Sequence, residues 1–301
     1  MEDLVLVLRV GLVEGSVLAL IAFGYSLIFA TTRVVNFAQG ALVLVGGMAY
    51  LQFADAAFTE VPVWLAAILA IAVAAAAGAA VYAVAILPLG RFNPTVDIGW
   101  IITTFAIGAI LMELVARRYG TLSYPVPPII ASVNGWEGSS VAEVPVSVEQ
   151  VTLVLGTLGL LAVLELFHHK TIYGRAFRAV AQDSQMASML GISVRRMVVL
   201  SFVLAGALAA VAALLVGPLI NVGPLPFQLF GIQAFIAVVL GGLGSTRGAI
   251  VGAYIVGLLA AFLQVVLGWT DYVQFIVFGV FLVVLAVRPT GIFGEPLVEK
   301  V

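Results

Sequence analysis

Eight stretches of this chain are apolar over roughly the length a helix needs to cross a lipid bilayer: 5–30, 37–53, 62–87, 98–116, 150–167, 197–220, 248–267 and 273–288. A spanning helix takes about 20 such residues. A ninth stretch, 229–243, is apolar but short and glycine-rich. A tilted helix, a half-helix and a re-entrant turn all fit it. With 63% hydrophobic and only 9% charged residues, the 301-residue chain has too little polar surface to cover a water-soluble domain, which carries about 25% charged residues. The expected fold is an all-α integral membrane bundle of about 8–9 spans, with residues 1–301 forming a single transmembrane domain.

The formal net charge of −2 offers no basic patch for nucleic acid. The absence of cysteine excludes disulfides and thiol chemistry. The start, Met1-Glu2-Asp3, is acidic, whereas a secretory signal needs a basic start and a short apolar core. The first apolar stretch is therefore expected to stay as a membrane helix.

Five of the 13 basic residues crowd into one loop: Lys170, Arg175, Arg178, Arg195 and Arg196. Basic residues favour the cytoplasmic side. That places the loop, 168–196, inside, and alternation places the N-terminus outside and the C-terminus inside, provided 229–243 crosses. Arg33, Arg91, Arg247, Arg288 and Lys300 then fall inside. Asp55, Glu60, Glu137, Glu143 and Asp271 fall outside, and Arg117 and Arg118 are the exceptions. The segment 117–149, with Pro125, Pro127, Pro128 and Pro145, reads as an external loop.

Three polar or glycine-rich segments stand out. Thr32 to Gly40 separates two apolar runs. Its Asn36, Gln39 and Gly40 either line a path beside an interrupted helix or belong to an ordinary loop, with Asn36 capping the next helix. Gly241 to Gly248 is denser. Gly244, Gly248 and Gly252 recur every four residues, a spacing that puts small residues on one helix face for close packing. Gly241, Gly242 and Ser245 precede them as candidates for a flexible gate. The inside loop has helical composition over 175–190. It carries a small-residue stripe of Ala176, Ala179, Val180 and Ala187, and Gly191 is placed to end the helix. Such a helix either docks on a partner or lies in the membrane interface.

Among ionisable groups within spans, Glu14 is the deepest, and it reads either as pore-lining or as paired with a polar neighbour. Glu165, His168 and His169 lie at a cytoplasmic helix end and lack the further ligands of a metal site. No catalytic arrangement is legible, so no enzyme activity and no cofactor are expected.

The sequence resembles the permease subunits of branched-chain amino acid ABC importers, the first of the two related permeases. Four stretches carry the resemblance in order: Val35 to Gly40, Gly174 to Asp183 with Leu190-Gly191-Ile192, Val239 to Ser245 with Gly248-Ala249, and Arg288 to Gly294. The resemblance implies a bacterial inner-membrane protein forming half of a translocation path. Its expected partners are a second permease subunit, two cytoplasmic ATPases and an extracytoplasmic binding protein. It also implies that the 170–196 loop couples to an ATPase, with Arg175, Arg178, Ala179, Asp183, Ala187 and Gly191 as its residues. One departure is Gln39, where the family commonly has histidine. Gln39 keeps hydrogen bonding but cannot titrate near neutral pH. Family members also move urea and amides. An ATP-independent secondary transporter or channel is the alternative of a different class, and it would need no docking helix.

Overall fold

The computed structural model describes residues 2–54, 61–90, 97–129, 139–141, 144–288 and 290–293. The chain order is α1 (Glu2–Thr32), α2 (Gln39–Ala54), α3 (Val63–Val81) and α4 (Gly99–Tyr119), then α5 (Val148–Lys170), α6 (Ile172–Gln182) and α7 (Ser184–Met189). It closes with α8 (Val194–Ile220), α9 (Pro224–Gly241), α10 (Thr246–Val265) and α11 (Val273–Val287). Among the described residues, eight helices are long and apolar enough to cross a membrane, and α2, with 16 residues, is a further apolar helix. The stretch left open by the sequence forms most of α9, a continuous helix. A small antiparallel hairpin, β1 (Ser139–Val141) with β2 (Val144–Val146), lies between α4 and α5.

α1 is the axis of the bundle, packed against α10, α8 and α9. Every residue from Gly15 to Ile28 is buried, as expected of a helix that is apolar all round. Lipid tails are as apolar as leucine, so close backbone approach replaces the hydrophobic effect in holding such helices together. A Cβ on Gly257 of α10 would lie 2.7 Å from the Gly15 Cα. At the α3–α8 crossing, Gly78 faces the Phe202 carbonyl and Gly206 faces the Ala74 carbonyl, with no room for a side chain on either glycine.

Several polar groups inside the bundle are paired, although the buried hydroxyls of Ser26 and Thr157 have no hydrogen-bond partner among the described residues. Gln264 of α10 donates to Glu14 of α1 at 3.1 Å. Glu14 therefore takes the paired reading, not the pore-lining one. The hydroxyls of Ser16 and Tyr254 lie 3.0 Å apart in the same interface. α4 and α11 are peripheral and expose large apolar side chains such as Ile102, Leu114, Phe275 and Val283. That surface suits lipid or another subunit.

α3 ends in one π-helical turn, Tyr82–Ile86, followed by a 3₁₀ turn, Leu87–Leu89. Pro88 has no N–H with which to continue the α ladder. At the opposite end of the bundle the α4–α5 connection is tied down. Tyr124 exchanges both backbone hydrogen bonds with Val222 at 2.8 Å, and the Tyr50 hydroxyl donates to the Pro127 carbonyl at 2.8 Å. α5 starts with a capping box of Ser147 and Gln150. Arg91, Lys300, Asp55, Glu60, Glu137 and Glu143, used in the orientation argument, lie outside the described residues.

Candidate functional site

Between α1 and α2 only Arg33 is exposed, and the chain after it runs back into the bundle. Val34, Asn36, Ala38 and Gln39 are fully buried. The Gln39 Nε2 donates to the Ala205 carbonyl of α8 at 3.0 Å. Ala205 follows Val194, the first residue of α8, by 11 residues, a rise of about 16 Å. α2 therefore begins deep in the bundle, and residues 33–38 fold back to reach it. Local side chains satisfy the irregular backbone: Asn36 Oδ1 accepts from the Ala38 N–H at 3.2 Å, and Thr32 Oγ1 accepts from the Val34 N–H at 3.1 Å. Non-helical backbone at membrane depth is tolerated only where protein buries it or where it borders a wet cavity.

A cavity of about 340 Å³ adjoins this break. Four helices supply its wall. α9 contributes Gln228, Gly231, Ile232 and Phe235, and α4 contributes Phe105, Gly108, Ala109 and Met112. Both sets follow i, i+3, i+4, i+7 spacing, which places them along one side of a helix. Gly40 and Ala41 at the start of α2 and Phe37 just before it add to the wall, and Tyr25 completes the lining from α1. The backbones of α2 and α9 nearly touch here, and a Cβ on Gly231 would lie 2.6 Å from the Gly40 Cα. The Tyr25 hydroxyl donates to the Gly231 carbonyl at 3.2 Å and fixes the crossing. Aromatic rings cluster at one end: Phe37 lies 5.5 Å from Phe235 and stacks on Trp100 at 6.4 Å. Among the described residues, no charged side chain lines the cavity.

Of the residues expected to line a path, Gly40 reaches this cavity. Asn36 and Gln39 stand behind its wall, toward α1 and α8, and Gly241, Gly242 and Ser245 lie elsewhere. The glycine-rich segment forms the tight turn from α9 to α10. Gly242 and Gly244 have φ of 113° and 85°, a region open to glycine at little cost. Ser245 caps α10 by accepting from the Gly248 N–H at 3.1 Å. The expectation of one helix face needs correcting. Gly248 and Gly252 do pack on α9, against the carbonyls of Gly241 and Ala237. Gly244 precedes the helix and lies beside the Phe29 ring. The C-terminal segment closes on the same turn: the N–H groups of Ile292 and Phe293 donate to the carbonyls of Leu240 and Gly241, both at 2.9 Å. Two separate motifs of the sequence thus form one structure that satisfies the end of α9.

The inside loop also differs from its expectation. It forms two helices, not one, broken at Asp183, whose carboxylate caps α7 by accepting from Gln185 N–H at 2.9 Å and Met186 N–H at 3.0 Å. Gly191, at φ 83°, ends α7 as expected. Its N–H bonds to the Ser188 carbonyl, and that of Ile192 bonds to Ala187, a Schellman arrangement. The small-residue stripe does not face outward. Ala187 is only 1% exposed and clusters with Leu27, Phe177, Val180 and Met197, while Ala176 and Ala179 pack half-buried against the same cluster. The outward surface is Met186, Met189 and Leu190, with Ile172 and Tyr173. Arg175 is exposed. Arg178 turns back to donate to the His168 carbonyl, and Arg33 donates to the Ala181 carbonyl at 2.9 Å. These contacts join the loop rigidly to α5 and α1. Beside it, Arg247 donates to Glu165 at 2.7 Å, with His169 3.1 Å from the same carboxylate oxygen.

The cavity stripes on α4 and α9 were missed in the sequence. Their i, i+3, i+4, i+7 spacing was present, but both helices are apolar on every side, so no contrast marked one face. Gln228 was an available but ambiguous signal, since the same apolar run holds a second glutamine, the buried Gln233.

Residues 7–285 match the family described as branched-chain amino acid transport system / permease component. The chain is 35% identical to the high-affinity branched-chain amino acid transport system permease protein BraD of Pseudomonas aeruginosa, over 97% of this chain and 96% of that protein. It is 33% identical to LivH of Escherichia coli K12 at the same coverage. It is 29% identical to the probable permease LivH of Methanocaldococcus jannaschii, over 96% of this chain and 92% of that one. A bundle of apolar helices with a cavity beside a buried chain break, matched over nearly its whole length, belongs to the branched-chain amino acid transport system permease family.

Proposed function

We propose that this chain forms half of the translocation path of an ATP-driven importer for branched-chain or related amino acids, and that it is not an enzyme. The observation that carries this is the uncharged, largely apolar cavity beside the α1–α2 break, open on the side where Phe105 and Ile232 are exposed. A second permease closing that side would complete a passage. A heterodimer with a related permease is the expected pairing. The apolar part of the wall offers contacts to an aliphatic side chain, which urea and small amides do not have.

Energy comes from ATP bound on two separate cytoplasmic subunits. α6 and α7 are the docking element, through the apolar surface of Met186, Met189 and Leu190 together with Arg175. Asp183, Gly191, Ala179, Arg178 and Ala187 shape and anchor that element without forming its outer face. An extracytoplasmic binding protein delivers the substrate. The basic loop lies in the cytoplasm and the N-terminus outside, in a bacterial inner membrane. Arg117, an exception to that charge bias, is paired with Glu113 at 2.8 Å.

The test is leucine uptake into proteoliposomes holding this chain, its permease partner, the ATPases and the binding protein. Uptake that requires ATP and the binding protein supports the proposal. Uptake of equal rate without ATP would instead indicate a secondary transporter or channel.

A further inference from the structure

We propose that Gln228 is the residue of this chain that contacts the α-ammonium and α-carboxylate of the amino acid as it crosses the cavity, and so sets the path's preference for zwitterions. This rests on the transport reading above. Gln228 lies one turn into α9, on the face that carries Gly231, Ile232 and Phe235. It is exposed to the cavity side, and among the described residues its amide has no hydrogen-bond partner. The other polar side chain in the lining, Tyr25, is committed to the Gly231 carbonyl. Gln228 therefore holds the free side-chain donor and acceptor atoms of an otherwise apolar wall.

An amide left unpaired in an apolar membrane setting is costly, and polar groups in spans are found where a cavity or a partner satisfies them. The chemistry of the amide fits one class of solute. Its Nε2 can donate to a carboxylate and its Oε1 can accept from an ammonium. The apolar residues beside it, Met112, Ile232 and Phe105, offer room for an aliphatic side chain. A neutral amide also suits passage. A fixed charge here would hold one end of a zwitterion tightly, whereas conduction needs contacts weak enough to release.

The experiment uses the complete reconstituted transporter and leucine. Gln228→Leu removes both polar atoms at similar size, and Gln228→Asn retains the amide. The expected result is a fall of about tenfold or more in the maximal uptake rate for Gln228→Leu, the scale of one lost hydrogen bond to a charged group. Gln228→Asn should recover part of that rate. The substrate concentration for half-maximal uptake should stay near wild type, because capture occurs on the binding protein. Co-purification of the second permease should match wild type for both variants. Full-rate uptake by Gln228→Leu overturns the inference. Loss of the second permease in that variant also overturns it, by assigning the amide to a subunit contact. A wild-type complex that moves no leucine overturns the transport reading together with this inference.

Discussion

The side-chain amide of Gln39 donates to the backbone carbonyl of Ala205 at 3.0 Å, across the buried interface of α2 and α8. This bond fixes where α2 begins. The same nitrogen sits where a Cβ on Gly24 would come within 2.7 Å, so Gly24 leaves the space that Gln39 fills. The buried break between α1 and α2 rests on this fit.

Gln39→Leu should lower the stability of the purified chain by about 1 kcal/mol, the worth of one neutral buried hydrogen bond. Gln39→Glu should cost more, about 3–5 kcal/mol, because it buries an uncompensated carboxylate facing the Ala205 carbonyl. Thermal unfolding in detergent measures both. A Gln39→Glu protein as stable as wild type would show that the side chain does not sit where the hydrogen bond requires.

Close backbone contact can be tested with a pair of glycines. A Cβ on Gly248 would collide with the Gly241 carbonyl, whereas one on Gly279 of α11 meets nothing within 4 Å. Gly248→Leu should destabilise the bundle by about 1–3 kcal/mol or prevent its assembly. Gly279→Leu should change stability by less than about 0.5 kcal/mol. Equal effects from the two would remove the α9–α10 packing argument.

The docking loop gives a contrast between inward and outward residues. Leu190 is 80% exposed and Ala187 is 1% exposed. Leu190→Asp should leave the membrane domain intact and reduce co-purification of the ATPase subunits. Ala187→Arg should instead loosen the cluster around Phe177 and Met197 and lower thermal stability. ATPase recovery that is normal for Leu190→Asp would mean that α7 is not the docking surface.

Orientation follows from charge and can be read chemically, since the chain has no cysteine of its own. Single cysteines at Thr121 and Ser184, both exposed, are treated with an impermeant thiol reagent in intact cells. Thr121→Cys should label and Ser184→Cys should not. The reverse pattern would invert the topology.

Composition alone made the spans legible, because 20 apolar residues in a row have few other uses. The family motifs were legible too, but not their spatial roles. Asn36 and Gln39 fit both a path lining and an ordinary loop, because polar residues between apolar runs occur in either. Nothing local reveals that α1 is long enough for the chain to turn back along it. Ala187 read as outward-facing because a small residue serves equally well against a partner or against the chain's own core. Gly244 shares the four-residue spacing of Gly248 and Gly252, yet the cap at Ser245 starts the helix after it. In each case the sequence carried the element, and tertiary packing decided which way it faced.

The central claim is that the cavity among α1, α2, α4 and α9 is this subunit's share of the path. Ala109 lines it, while Phe275 on α11 is 76% exposed on the outer surface. The most direct measurement compares Ala109→Cys with Phe275→Cys in the reconstituted transporter, using a small charged thiol reagent and following leucine uptake. The account predicts that Ala109→Cys is modified, that modification blocks uptake, and that substrate delivered by the binding protein slows the reaction. Phe275→Cys should react far more slowly and keep its uptake. An Ala109→Cys transporter that reacts no faster than Phe275→Cys, or that transports normally once modified, would contradict the claim.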